Sequence, residues 1–145
     1  MASVECCKRA SMKIIQIALN VISIALILKY NCVPTIGPNL LKFDISSDYT
    51  RTYFVVAVAG GFCIVSTVIL LAYAIEGMSK APILETLFMV VGAAVSITAG
   101  GLIVEYFVNY HTNKDETRDA GISFGSLQLI NGLVYLIDAF FVFKK

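Results

Sequence analysis

Thr52 to Ile75 reads TYFVVAVAGGFCIVSTVILLAYAI, without a charge from end to end, bounded by Arg51 and Glu76. A helix rises about 1.5 Å per residue, so roughly 20 residues cross a hydrocarbon core of about 30 Å. This run exceeds that length. A helix from a soluble core keeps a polar face toward water, and the runs Phe54 to Ala59 and Val65 to Tyr73 keep none. A β-barrel strand would alternate apolar and polar at period two, which this stretch does not. It reads as a transmembrane helix.

Three further blocks flank it. Thr86 to Val104 is uncharged between Glu85 and Glu105, and so is Ala120 to Ile137, whose apolar run continues past Asp138 to Phe143. Both are close to the length that a span needs. Ile14 to Leu28, between Lys13 and Lys29, is the shortest of the four. Both lysines are expected to stretch toward the headgroups and lengthen that span. It reads as a retained span rather than a cleaved signal peptide, since it begins late and no A-x-A site follows Leu28.

The 145 residues, 58% hydrophobic and 14% charged, therefore make one all-α domain, a four-transmembrane-helix bundle. The expected spans are about 12–30, 52–75, 83–104 and 120–143, with outer loops about 31–51 and 105–119. A net charge of +1 excludes a polyanionic partner such as nucleic acid. Lys8, Arg9, Lys13, Lys80, Lys144 and Lys145 lie on one side, and Lys29, Lys42, Arg51, Lys114 and Arg118 on the other. The first group is denser, which puts both termini in the cytosol.

The loops add little chemistry. Pro34, Gly37 and Pro38 break regular structure in the first outer loop, while Leu40, Leu41, Phe43 and Ile45 suit a short strand or a segment on the membrane surface. Tyr106 and Tyr110 suit an aromatic belt. The inner turn from Glu76 to Pro82 makes the second and third helices antiparallel neighbours, with Pro82 in the first turn and Glu85 near its positive dipole end. No outer-loop disulfide is expected, because only Cys32 of the four cysteines falls there. Cys63 reads as a small core residue, and Cys6 and Cys7, beside Lys8 and Arg9, as candidates for lipidation by S-palmitoylation or as plain thiols.

Between helices in lipid, small residues permit close packing. The second helix offers Ala57 and Gly61 with Gly60 alongside, the third Gly92, Ser96 and Gly100 at four-residue spacing, the fourth Gly121 and Gly125 with Gly132 beyond. Packing within one chain is expected of the third helix, whereas the fourth suits either that or association between copies. The intramembrane polar residues are Gln16, Asn20, Gln128, Asn131 and Asp138. Gln128 and Asn131 share a face, and an amide bond between helices is worth about 1 kcal/mol, enough to fix register. Asp138, a turn and a half before Lys144, is expected to reach the inner interface or pair with a terminal lysine, a structural role rather than a proton relay.

These residues argue against catalysis and transport. His111 has no evident nucleophile partner, no paired reactive groups converge at depth, and a lone histidine supplies too few ligands for a metal. No cofactor is implied. No symmetric pair of broken helices appears, and no helix reads as bearing a pore-lining row of charged or hydroxyl residues.

Two stretches resemble the Snakeskin family, four-span proteins of smooth septate junctions in insect gut and renal epithelia. They are Met89-Val90-Val91-Gly92 leading to Ala99-Gly100-Gly101-Leu102, and Gly121 to Leu127 with Leu133-Val134-Tyr135-Leu136-Ile137-Asp138. The likeness covers the carboxyl-terminal half in sequence and the whole chain as layout, and the architecture is also similar to that of MARVEL-type tetraspans. The resemblance implies a plasma-membrane barrier protein at lateral cell–cell contacts, acting with a Mesh-like single-span protein and a tetraspanin. The first outer loop lacks the tryptophan and cysteine pair of claudins, and the second is too short for a tetraspanin. A non-enzymatic scaffold is the leading expectation. An accessory subunit of a channel, receptor or transporter, or a trafficking tetraspan, is the alternative.

Overall fold

The computed structural model describes residues 2–30, 47–76, 82–109 and 115–143. Each of these segments is one α-helix: α1 (Ala2–Tyr30), α2 (Ser47–Glu76), α3 (Pro82–Asn109) and α4 (Asp115–Phe143). Among the described residues, the windows Cys7–Tyr30, Tyr53–Ile75, Ile83–Asn109 and Glu116–Phe143 are long and apolar enough to cross a membrane.

The helices reach further than the charge-free blocks. Residues 47–51, 105–109 and 115–119, expected in outer loops, continue α2, α3 and α4, and α1 takes in the hydrophilic stretch before Lys13. A charge ends an apolar run without ending a helix, because Glu, Lys and Arg are good helix formers. The one proline within the four helices, Pro82, opens α3, where its missing N–H costs nothing. Pro34, Pro38, Cys32, Tyr110 and His111 lie outside the described residues, as do Lys80, Lys144 and Lys145.

The bundle closes as a ring in which α1 packs on α2 and α4, α3 packs most extensively on α4, and α2 and α3 form the loosest of the four seams. Consecutive helices run antiparallel, so Ala2 and Phe143 share one end. Large apolar side chains point outward all round it, among them Leu28, Ile64, Leu71, Ile83, Leu87 and Phe140. A water-soluble bundle would carry charge there.

Small residues bring α3 and α4 together. A Cβ on Gly100 would stand 2.7 Å from the carbonyl oxygen of Gly125, and one on Gly125 would stand 2.9 Å from that of Gly100. The backbones thus touch at one crossing, where no side chain fits. Gly121 lies against the Phe107 ring, and Gly132 against Ile97 and the backbone of Ala93. Gly92 receives the Phe62 ring of α2. Ala57, Gly61 and Gly101 face outward instead, and a Cβ on Gly60, Gly61 or Gly101 would meet nothing within 4 Å.

Candidate functional site

The interior is divided along its length. Toward the end away from Ala2 and Phe143 it is hydrocarbon: Ile27, Val55, Val58, Ile103, Phe107 and Phe124 form one buried cluster. Tyr106 packs edge-on against Phe107 there, with ring centroids 5.2 Å apart. Toward the shared end of Ala2 and Phe143, charged and polar groups lie between the helices beside a smaller buried cluster that includes Met89, Ala93 and Ala139.

Helix α1 supplies the axis of this polar half. Arg9, Lys13, Gln16, Asn20 and Ser23 recur at steps of four and three, so they fall on one helical face, and all five are buried. Helix α1 thus carries a polar row, turned inward onto α4 and not singled out from the sequence alone. On α4, Gln128, Asn131, Tyr135 and Asp138 recur at steps of three and four and are equally buried. The two seams face each other.

Lys13 does not reach toward a headgroup, as its place at the edge of an apolar block suggested. Its side chain is wholly buried, with Nζ 2.5 Å from Asp138 Oδ2 and 3.5 Å from Glu85 Oε1. It also lies 2.9 Å from the sulfur of Met89. Asp138 accordingly pairs with a lysine on α1; the terminal lysines lie outside the described residues. Glu85 does occupy the first turn of α3, where the helix dipole favours an anion, yet it is buried and accepts a hydrogen bond from the Tyr73 hydroxyl. Arg9 donates through Nη2 to the Phe141 carbonyl at 3.3 Å, meeting one of the free carbonyls in the last turn of α4. Two cations and two anions thus lie buried together, and their formal charges cancel. A pair so deeply buried is costly to form and costlier to break, by about 3–5 kcal/mol when one partner is removed.

From Asp138 a chain of hydrogen bonds runs toward the middle of the bundle. Gln16 Nε2 donates to Asp138 Oδ2 at 2.8 Å, and Ser66 Oγ donates to Gln16 Oε1 at 3.3 Å. Ser66 Oγ lies 3.0 Å from the Tyr135 hydroxyl, Asn20 Nδ2 donates to that hydroxyl at 3.4 Å, and Asn131 Nδ2 donates to Asn20 Oδ1 at 2.9 Å. A serine has one proton to give. Ser66 gives it to Gln16, so Tyr135 must donate to Ser66. Every bond then points the same way, from Asn131 through Asn20, Tyr135, Ser66 and Gln16 to the carboxylate. Aligned bonds polarise one another, and this series closes on the one acceptor that is also ion-paired. The amides of Gln16 and Asn20 donate and accept without passing a proton on, so the series orients groups rather than relaying protons.

Of the anticipated intramembrane polar residues, Asn20, Asn131 and Asp138 meet in this network together with Gln16. Gln128 shares their face but has no hydrogen-bond partner at either end of its amide, and Ser96 is buried and unpartnered on α3. Arg9, Lys13, Ser23, Ser66, Tyr73, Glu85 and Tyr135 join the polar interior without having been expected there. Cys63 is half-buried and free, Cys7 is exposed on the first part of α1, and the side chain of Cys6 lies outside the described set. Among the described residues, no group of three His, Cys, Asp or Glu is placed to hold a metal ion. Comparison of the chain with protein-family models, curated proteins and solved structures finds no match.

Proposed function

We propose that this chain is a non-enzymatic, multi-pass membrane scaffold, a tetraspan unit that packs beside other integral membrane proteins and presents short loops between cells. The observation that carries the reading is the contrast between interior and exterior. Lys13, Gln16, Asn20, Asn131 and Asp138 are joined to one another inside, and large apolar side chains cover the outer faces. Such a unit is held together by its own contacts and offers lipid and neighbouring spans a hydrocarbon surface. The resemblance of the α3 and α4 glycine patterns to the Snakeskin family directs the reading further, to barrier assembly at septate-type junctions of the plasma membrane with a Mesh-like protein and a tetraspanin. Ala57 and Gly61, facing outward, are where another copy or another span could approach closely.

Both termini lie in the cytosol on this reading. A membrane-impermeant maleimide applied to intact cells then labels Cys32 and spares Cys7; the reverse pattern inverts the orientation. Cys6 and Cys7 would sit beside the inner leaflet, where acylation is possible, and a blank acyl-exchange assay on the unmutated protein removes that element.

Affinity purification in mild detergent, with staining of intact epithelium, tests the function. Junctional proteins in the eluate and staining at lateral contacts support the scaffold, whereas vesicular staining supports a trafficking tetraspan. A second reading, an accessory subunit of a channel, receptor or transporter, draws on Lys13, Glu85 and Asp138, because ionisable groups within spans often mark ion paths and gates. Recovery of a conducting subunit in the same eluate would favour it over the scaffold.

A further inference from the structure

The hydrogen-bond series that ends on Asp138 has an open beginning. Its first donor, Asn131, has an Oδ1 that accepts from nothing, and close by in register stand Ser23 Oγ, Ser96 Oγ and both amide atoms of Gln128, all buried and all unpartnered. Their common level follows from the pairs already described. Seven residues on from Lys13 is Asn20, and seven back from Asp138 is its partner Asn131. Three further steps reach Ser23 on α1 and Gln128 on α4. On α3, Ser96 falls in the stretch from Ala93 to Ile97 that meets Gly132, the neighbour of Asn131 in the chain. None of these four side chains is more than 1% exposed.

The two serines behave unlike four exposed hydroxyls of the bundle. Ser11, Thr67, Thr98 and Ser126 each donate to the carbonyl four residues back, on Cys7, Cys63, Ala94 and Ile122. This local bond is open to any helical serine or threonine. Ser23 and Ser96 do not make it. A hydroxyl that forgoes its own backbone, beside an amide with neither end satisfied, marks a place prepared for a guest that both donates and accepts.

We propose that this layer of the bundle binds water. Gln128 Nε2 donates to the water oxygen, and the water donates to Asn131 Oδ1, completing the series at its head; the serine hydroxyls offer the remaining contacts. A buried water typically makes about three hydrogen bonds to groups that lack other partners, which this set can supply. The four side chains carry no formal charge, and the Gln128 amide donor would face any cation, so a neutral guest fits where an ion does not.

The test uses the full chain in lipid nanodiscs, with side-chain amides labelled by nitrogen-15 and assigned through Gln128→Leu. Through-space cross-peaks between water and the Gln128 amide protons are expected, with a fall of several degrees in the unfolding midpoint of Gln128→Leu, because the other groups lose their bridge. A Gln128 amide that is observed but shows no contact with water overturns the proposal. So does a midpoint that rises in Gln128→Leu, since a dry unpartnered amide is better replaced by hydrocarbon. Should Gln128→Leu not fold, Ser96→Ala carries the same test with a smaller fall expected, and a rise overturns the proposal equally.

Discussion

At one end of the bundle, Ile27, Val55, Ile103, Phe107 and Phe124 fill the space between helices; at the other, Arg9, Lys13, Glu85 and Asp138 are buried among Met89, Ala139 and Val142. The two ends are joined by the same four helices, yet they hold together for different reasons. Hydrocarbon contacts are indifferent to small rotations, and in a bilayer they would gain little from excluding water, so on the membrane reading the apolar end is stabilised by fit. Ion pairs and directional hydrogen bonds fail when a helix turns or slides by one residue, so the polar end fixes which faces meet. The comparison teaches a division of labour, in which one half specifies the arrangement and the other fills it.

The largest effect should come from breaking the polar end at its centre. Lys13→Met leaves Asp138 and Glu85 buried without their cation and should cost about 3–5 kcal/mol. Unfolding in mixed micelles measures it. Adding Asp138→Leu should recover part of the loss, because the uncompensated charge is removed; a double variant as unstable as the sum of its singles would show that the two do not act as a pair.

Next is the crossing of α3 and α4. Gly100→Ala puts a methyl group where 2.7 Å separates the Cβ position from the Gly125 carbonyl oxygen, and should cost about 1–3 kcal/mol as the helices move apart. Gly125→Leu should cost more by the same route. If either variant instead leaves the unfolding midpoint alone, the two helices are not in backbone contact.

A smaller loss, about 1–2 kcal/mol, is expected from Asn20→Leu, which removes two hydrogen bonds between α1 and α4, those with Tyr135 and Asn131. Disulfide trapping of cysteines introduced on the facing helices would show whether register also loosens, as the division of labour requires; a single trapped register would limit that role to the ion pairs.

The smallest effect belongs to the outward small residues. Gly61→Ala and Gly101→Ala meet open space, so stability should stay within about 0.5 kcal/mol of the unmutated chain. Co-purification measured on the same samples separates contacts within the chain from contacts between chains. A variant that keeps its midpoint and loses a partner would locate an interface on that face.

The four helices are legible because charge-free apolar runs of near-membrane length have few other uses. The glycines of α3 and α4 can be grouped by spacing, but spacing alone does not separate Gly125, which meets another backbone, from Gly61, which meets nothing. Lys13 departs from expectation for a physical reason. A lysine at the margin of an apolar run ordinarily extends to water, and only carboxylates distant in the chain, Asp138 and Glu85, make burial the better choice. Part of the polar seam is nevertheless written locally. Gln16 and Asn20 are four apart, and continuing their three-and-four rhythm in both directions reaches Lys13, Arg9 and Ser23. Reading polar residues one at a time hides that row, whereas reading them by face reveals it.

The separation of Lys13 from Asp138 along the chain also has a bearing on biogenesis. Lys13 lies on α1 and Asp138 on α4, so α1 is made well before the carboxylate that its lysine meets at 2.5 Å. Glu85 on α3 comes between them in the chain, and a bundle without α4 would leave Lys13 with that longer contact alone, at 3.5 Å.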